Sequence, residues 1–280
     1  MNSFELFVAG RYLRARRKEK VISVITFISI AGVAAGVMAL IIALAVNNGF
    51  RDTLQRNLLG ATAHVNIVRK DSGQGIANWR ELLTRFRGIP HVIAAAPVLY
   101  DQVFLRGAQT KGVVLKGIDV RSEITTSDML KHLKAGSLSR LTDNDGGLPA
   151  VILGSKLAED AGLSVDSVAT LISPEGRLTP FGPEPRSQRF RVVGIFESGF
   201  FEIDQLWAYA PMTSVQKLTG AGDLVNSIEL RLDDLYLAPA VAAQAERLAG
   251  NLYTSTSWQD QNRGLLHALK MERAVTAITI

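Results

Sequence analysis

Four histidines, His64, His91, His132 and His267, are the side chains of this 280-residue sequence best suited to proton transfer or metal ligation. They are scattered, with no His-Glu-x-x-His and no His-x-His, and cysteine is absent. The usual zinc ligand spacings are therefore missing, and no metal or cofactor is expected. No Gly-x-Ser-x-Gly elbow surrounds Ser155 or Ser198, and no Gly-x-x-x-x-Gly-Lys-Ser/Thr loop exists to cradle a nucleotide. The carboxylates Glu197, Glu202 and Asp204 in "FESGFFEIDQLW" could suggest a glycosidase pair. The aromatics around them read more simply as the core of a strand–turn–strand unit.

Recognition is better served than catalysis. "PEGRLTPFGPEPRSQRF", Pro174 to Phe190, holds four prolines and two glycines among spread charges. Proline removes a backbone donor and fixes φ, so neither a helix nor a core strand is expected here, and the stretch should project from a sheet rather than belong to one. Projection suggests a surface for contact.

The elements that carry this stretch begin with a membrane anchor. Val21 to Val46 contains no charged residue over 26 positions, about 39 Å as a helix at 1.5 Å per residue. Before it, Arg11, Arg14, Arg16, Arg17, Lys18 and Lys20 outnumber Glu19. The positive-inside rule then leaves residues 1–20 in the cytoplasm and the bulk of the chain outside, in the periplasm of a Gram-negative cell. This cluster accounts for most of the net charge of +5, so the basic balance does not indicate nucleic acid. A cleavable signal peptide is disfavoured although Ala43-Leu44-Ala45 imitates a cleavage site, because the apolar run is far longer than the usual 7–15 residues. Gly32 and Gly36 form a small-xxx-small pair that lets another helix approach. Phe50, Leu54 and Leu58 continue at helical spacing, as an amphipathic stalk would.

Residues 47–257 read as mixed strands and helices. "HVNIVRK" alternates as a strand. "NWRELLTRFRG" is a helix with Asn78 as N-cap and Gly88 as its stop. "VIAAAPVLYDQVFLRG" and "GVVLKGID" form a hairpin about "AQTK", and Arg121 to Gly147 is an irregular crossing. Strands are expected in "AVILG", "SVATLIS", "RFRVVGIFES", "LWAYAPM" and "SIELRLDD". Helices are expected in "SKLAEDAG", near Ser214 to Leu218 and over Pro239 to Ala249. From Trp258 the chain becomes helical and apolar, so 258–280 is read as a second stalk and the start of a second membrane helix, with further spans expected beyond Ile280.

This layout resembles the first half of an ABC-transporter permease of the FtsX/MacB type. More closely, it is similar to the lipoprotein-releasing permeases of the LolC/LolE family. The resemblance is carried by Phe7 to Phe50, "LLGATAHVNI", "GVVLKGID", "GIFESGFFEIDQLWAYAP" and "NRGLLHALKMER". It implies a fold of membrane α plus periplasmic α+β: one N-terminal transmembrane helix with stalk, a MacB-like periplasmic core domain and the start of a second transmembrane helix. It implies a multi-pass inner-membrane permease, itself non-catalytic, whose partners are a cytoplasmic LolD-like ATPase, a second permease subunit, acylated lipoprotein cargo, membrane lipid and a periplasmic LolA-like carrier. A hook hairpin binds that carrier in LolC-like members. It corresponds here to 173–190, with Pro180, Phe181, Gly182 and Pro183 at the tip and Arg177, Arg186 and Arg189 beside it. Cargo-facing positions are expected at Val37, Met38, Leu40, Ile41, Leu44 and Val46. The alternative is a permease of the same architecture that exports another substrate or controls cell-wall hydrolysis.

Overall fold

The computed structural model describes residues 7–8, 20–61, 63–71, 73–131, 133–142, 147–179, 182–264, 266–268 and 271. The chain divides into two compact units, Met1–Gln55 and Arg56–Ile280. Helix α1, Lys20–Ala61, runs for 42 residues without a break, as the helical spacing beyond Val46 requires. Its segment Ser23–Val46 has a mean hydropathy of 2.6 and is long and apolar enough to cross a bilayer.

The second unit is built on ten strands: β1 Val65–Arg69, β2 Val92–Arg106, β3 Thr110–Ile118, β4 Leu133–Gly136, β5 Ala150–Gly154, β6 Val168–Thr179, β7 Gly182–Phe196, β8 Trp207–Pro211, β9 Ser227–Leu232 and β10 Tyr253–Ser257. They run β10-β1-β9-β2-β3-β8-β5-β7-β4, and β6 pairs with both β7 and the far end of β2. Strands β2, β3, β8, β5, β7 and β6 thereby close a ring in which each is bonded to its two neighbours. The long strand β2 makes closure possible. Val92 to Val98 pairs with β9, whereas Phe104 to Arg106 pairs with β6. In the gap between them the side chain of Asn226 takes over the ladder, accepting from the Tyr100 N–H at 2.9 Å and donating to the Tyr100 carbonyl at 2.6 Å.

Strand alternation divides the sheet into two faces. The inner face of β2 and β3 presents Leu99, Val103, Leu105, Val113 and Leu115 to the main core. The helices α2 Trp79–Arg87, α6 Met212–Thr219 and α7 Ala238–Ala249 contribute Phe86, Val215 and Val241 to that core. A smaller core on the other face joins Ile118, Ile152, Val193, Phe196 and Tyr209 to Met129, Leu130 and Leu141. Met129 and Leu130 follow the short helix α3, Val120–Thr126, and Leu141 ends the 3-10 turn Ser139–Leu141. The described parts of the crossing, 121–131 and 133–142, are thus more ordered than their composition suggests.

Several local expectations are corrected. The proline-rich stretch is not a loop outside the sheet: β6 and β7 continue through it as paired strands to Thr179 and Gly182. Asn78 does not cap α2 with its side chain; its Oδ1 instead accepts from the Tyr253 hydroxyl at 2.7 Å. The turn between β7 and β8 is helix α5, Phe201–Leu206, which follows α4, Ser155–Asp160, in chain order. Phe201 there is 62% exposed rather than core. After β10, Ser257 caps α8, Trp258–Gln261, through a reciprocal box with Asp260, and a turn follows at Asn262. The expected second membrane helix falls mostly outside the described residues.

Candidate partner-binding hairpin and the polar core beside it

The β6–β7 hairpin emerges from the main core. At its root Ala169, Leu171 and Phe190 are fully buried. Ser173 Oγ donates to Asp101 Oδ2 at 3.0 Å, tying the hairpin to β2. From Ser173↔Arg186 the register jumps to Arg177↔Glu184, then continues Leu178↔Pro183 and Thr179↔Gly182. The jump places two extra residues on β6, so Pro174 and Gly176 lie in a bulge with Pro185 across from it. Bulges and unpaired edges are where a strand tolerates proline, which is why pairing survives the composition. From Ser173 to Phe190 the two strands pair only with each other among the described pairings.

The expected contact residues do not share one surface. Arg186 stands opposite Ser173 and one alternation from Gln188, on the inner face, and is half-buried. Arg189 stands opposite Thr170 on the outer face and is exposed. Arg177, Gly182 and Pro183 lie in the paired backbone toward the tip, whereas Pro180 and Phe181 lie outside the described residues. In α1, Val37, Met38 and Ile41 share a shallow groove with Ile30, Val33, Ala34 and Ile42. Leu40 and Leu44 fall near one edge of that stripe, and Val46, four residues after Ile42, falls about 40° beyond the other edge at 3.6 residues per turn. Gly32 and Gly36 have open space around them.

Sequence reasoning missed a polar cluster on the outer face. Lys116 Nζ donates to Glu123 Oε1 at 2.8 Å and Glu229 Oε2 at 3.0 Å, with all three side chains at most 4% exposed. The Tyr100 hydroxyl donates to the other oxygen of Glu229, and Glu123 Oε2 is buried without a partner. Burial alone would lower the Lys116 ammonium, but Glu123 and Glu229 outweigh it and hold it well above its ordinary value. Burial raises the Glu123 carboxyl, with Lys116 opposing and Glu229 reinforcing. Burial and then the Glu229 charge push the Tyr100 hydroxyl well up, keeping it a donor. The cluster binds β2, β3, β9 and α3 together. The available signal was charge within two largely apolar strands, Lys116 in "GVVLKGI" and Glu229 in "SIELRL".

Beside it, the outer face opens into a cleft of about 630 Å³ lined by Asn66, Tyr100, Gln102, Val114, Pro174 and Trp207. A neighbouring cleft of about 430 Å³ shares Gln102, Val114 and Pro174 and adds Phe104 and Leu206. Asp101 also lines the first cleft, and no cluster of metal-ligating side chains occurs among the described residues.

The comparisons with known proteins agree with this architecture. Residues 26–248 match the family of MacB-like periplasmic core domains. The lipoprotein-releasing system transmembrane protein LolC of Neisseria meningitidis is 33% identical over 285 residues, covering 100% of this chain and 67% of the relative. LolC of Xylella fastidiosa is 34% identical over 281 residues, covering 100% and 66%. LolE of Haemophilus influenzae is 27% identical, covering 83% and 56%. The periplasmic region of MacB from Actinobacillus actinomycetemcomitans is 16% identical with a TM-score of 0.47, covering 75% of this chain and 94% of that one. The chain spans about two thirds of the length of the LolC relatives it matches. It belongs to the LolC/LolE family of lipoprotein-releasing transmembrane proteins, and its larger unit is a MacB-like periplasmic core domain.

Proposed function

We propose that this chain is a permease subunit of an ABC transporter that extracts acylated lipoproteins from the inner membrane and passes them to a periplasmic carrier. The observation that carries the reading is end-to-end similarity to LolC proteins, at 33% and 34% identity. Physical chemistry gives the division of labour. Each acyl methylene leaving lipid costs about 0.8 kcal/mol, so extraction must be coupled to an energy source. On this reading ATP hydrolysis belongs to a separate cytoplasmic subunit of the LolD type.

The permease needs an apolar path rather than a reactive group. Helix α1 supplies one wall, with the Val37, Met38 and Ile41 stripe facing cargo and Gly32 and Gly36 facing a neighbouring helix. A second permease subunit completes the cavity, and ATP-driven closure brings together the stalks that begin near Asn47 and Trp258. The β6–β7 hairpin is the carrier-docking element: its tip from Pro180 to Pro183 is stiffened by proline, which lowers the ordering entropy lost on binding.

Replacing Pro180 to Pro183 with a short Gly/Ser turn should abolish capture of a LolA-type carrier while leaving assembly with the other subunits intact. Undiminished carrier capture by that variant would remove the hairpin from the docking site. Failure of the unmodified permease, assembled with its ATPase, to release a triacylated lipoprotein from proteoliposomes would overturn the wider reading.

A further inference from the structure

The hairpin needs something besides its own ladder to set its direction. Residues 173 to 190 pair only with each other among the described strands, and a lone two-stranded ribbon is marginal and free to twist. Helix α6 touches both strands of the hairpin as well as β2, β3 and β8. It ends at Gly220, whose φ of 75° is left-handed and whose N–H returns to the Gln216 carbonyl at 2.8 Å. The Arg186 guanidinium fills the place a side chain at 220 would take. A Cβ built there would stand 1.3 Å from Nη1 and 2.3 Å from Cζ. Arg186 Nε is sealed from solvent without a hydrogen-bond partner. A planar cation is favoured at this spot, because the last turn of a helix leaves carbonyls unpaired and carries the negative end of the helix dipole. Gly220 is favoured by its backbone angle, and a side chain placed there would displace the guanidinium seated on it.

We propose that Arg186 is a positioning residue whose guanidinium, seated over Gly220 at the end of α6, braces the hairpin against the body and fixes how its tip is presented to the carrier. The consequence for carrier capture rests on the function proposed above; the brace itself does not. Arg186 then belongs to the body of the molecule, while Arg189 on the opposite face is left for the partner.

The test uses the full chain in lipid nanodiscs and four variants: Arg186→Ala, Gly220→Ala, the two combined, and Gly222→Ala. Gly222 also has a left-handed φ of 65°, but the space around it is open, so it reproduces the backbone strain without displacing Arg186. Amide exchange of residues 174–187 reads the brace, and affinity for the LolA-type carrier reads its consequence. Arg186→Ala and Gly220→Ala should each speed exchange and weaken affinity by about tenfold, with the double variant no worse than either single, as residues sharing one contact behave. Gly222→Ala should change neither. Unchanged exchange in Gly220→Ala, an equal loss in Gly222→Ala, or additive losses in the double variant would overturn the brace. Altered exchange with no carrier capture by the unmodified chain would leave the brace standing and sink the carrier reading instead.

Discussion

The Lys116 cluster and the β6–β7 hairpin both place charge on strands of one sheet, but they satisfy it in opposite ways. Around Lys116 the charges are met inside the molecule: one ammonium serves two carboxylates within 3.0 Å, and a tyrosine hydroxyl takes up a remaining lone pair, leaving one carboxylate in excess. On the hairpin, the strands leave the sheet after Ser173, alternation delivers Arg186 to the body and Arg189 to solvent, and the prolines weaken the ladder. The difference teaches that charge alone does not mark a binding surface in this domain. The proposed docking hairpin differs in carrying its charge on backbone that the rest of the fold does not use.

If that contrast is right, removing charge from the two regions should hurt different quantities. The largest loss of stability should come from Lys116→Met, which leaves Glu123 and Glu229 buried without a counter-ion. A cost of about 3–5 kcal/mol is expected, read from denaturant midpoints. Glu123→Gln should cost far less, because it keeps an acceptor for Lys116 and removes the surplus negative charge. Its pH dependence has a definite sign. A carboxyl whose folded pKa is raised contributes stability below its unfolded value of about 4.3, and that contribution is lost as pH rises through the raised value. Glu123→Gln should therefore gain on the unmodified protein as pH rises. A Lys116→Met variant as stable as the parent would show that the cluster is not a tie at all.

A smaller loss is expected at the rim of that region. Asp128 accepts from Arg231 at 2.9 and 2.8 Å and faces Lys131, and its hydrogen bonds with Arg231 hold its carboxyl well below the usual carboxylate range despite some burial. Both side chains are partly exposed, so solvent screening reduces the pair to about 1 kcal/mol. The contribution is full above the ordinary aspartate value of about 3.9 and is lost progressively as pH falls from there through the lowered folded value. Asp128→Asn should therefore lower the urea midpoint more at pH 7 than at pH 3. An equal effect at both values would mean that packing, not charge, is lost.

Much of this frame was legible in the residues. The uncharged run from Val21 to Val46 and the periodicity beyond it give one long helix, and alternation in "VIAAAPVLYDQVFLRG" and "GVVLKGID" gives β2 and β3 with their turn. The errors share a cause, since each depended on a pairing or contact that single-residue rules do not contain. Asn78 is a good N-cap by local rule, yet a hydroxyl 175 residues away claims its side chain. The prolines of the hairpin argue against strand until a bulge and a lone partner strand make their missing donors harmless. Lys116, Glu123 and Glu229 look like unrelated charges until three elements converge. The residues proposed for docking were legible as a stretch but not as a surface, because no register was assigned to the strands that carry them.

Register makes the final contrast testable within a single strand. Arg186 and Arg189 are three residues apart, an odd separation, so a strand must send them to opposite faces. Arg189→Ser removes a charge from the exposed face and touches nothing that holds the hairpin to the body. Its stability should stay within about 0.5 kcal/mol of the parent, and amide exchange over residues 174–187 should not change. Carrier association should slow and lose part of its dependence on ionic strength, since a rim charge acts mainly on encounter. Arg186→Ala should do the reverse, loosening the hairpin while leaving that salt dependence nearly intact. Identical salt dependence and identical exchange in the two variants would mean that both arginines meet the same surroundings, and the two faces of β7 would then have no separate duties.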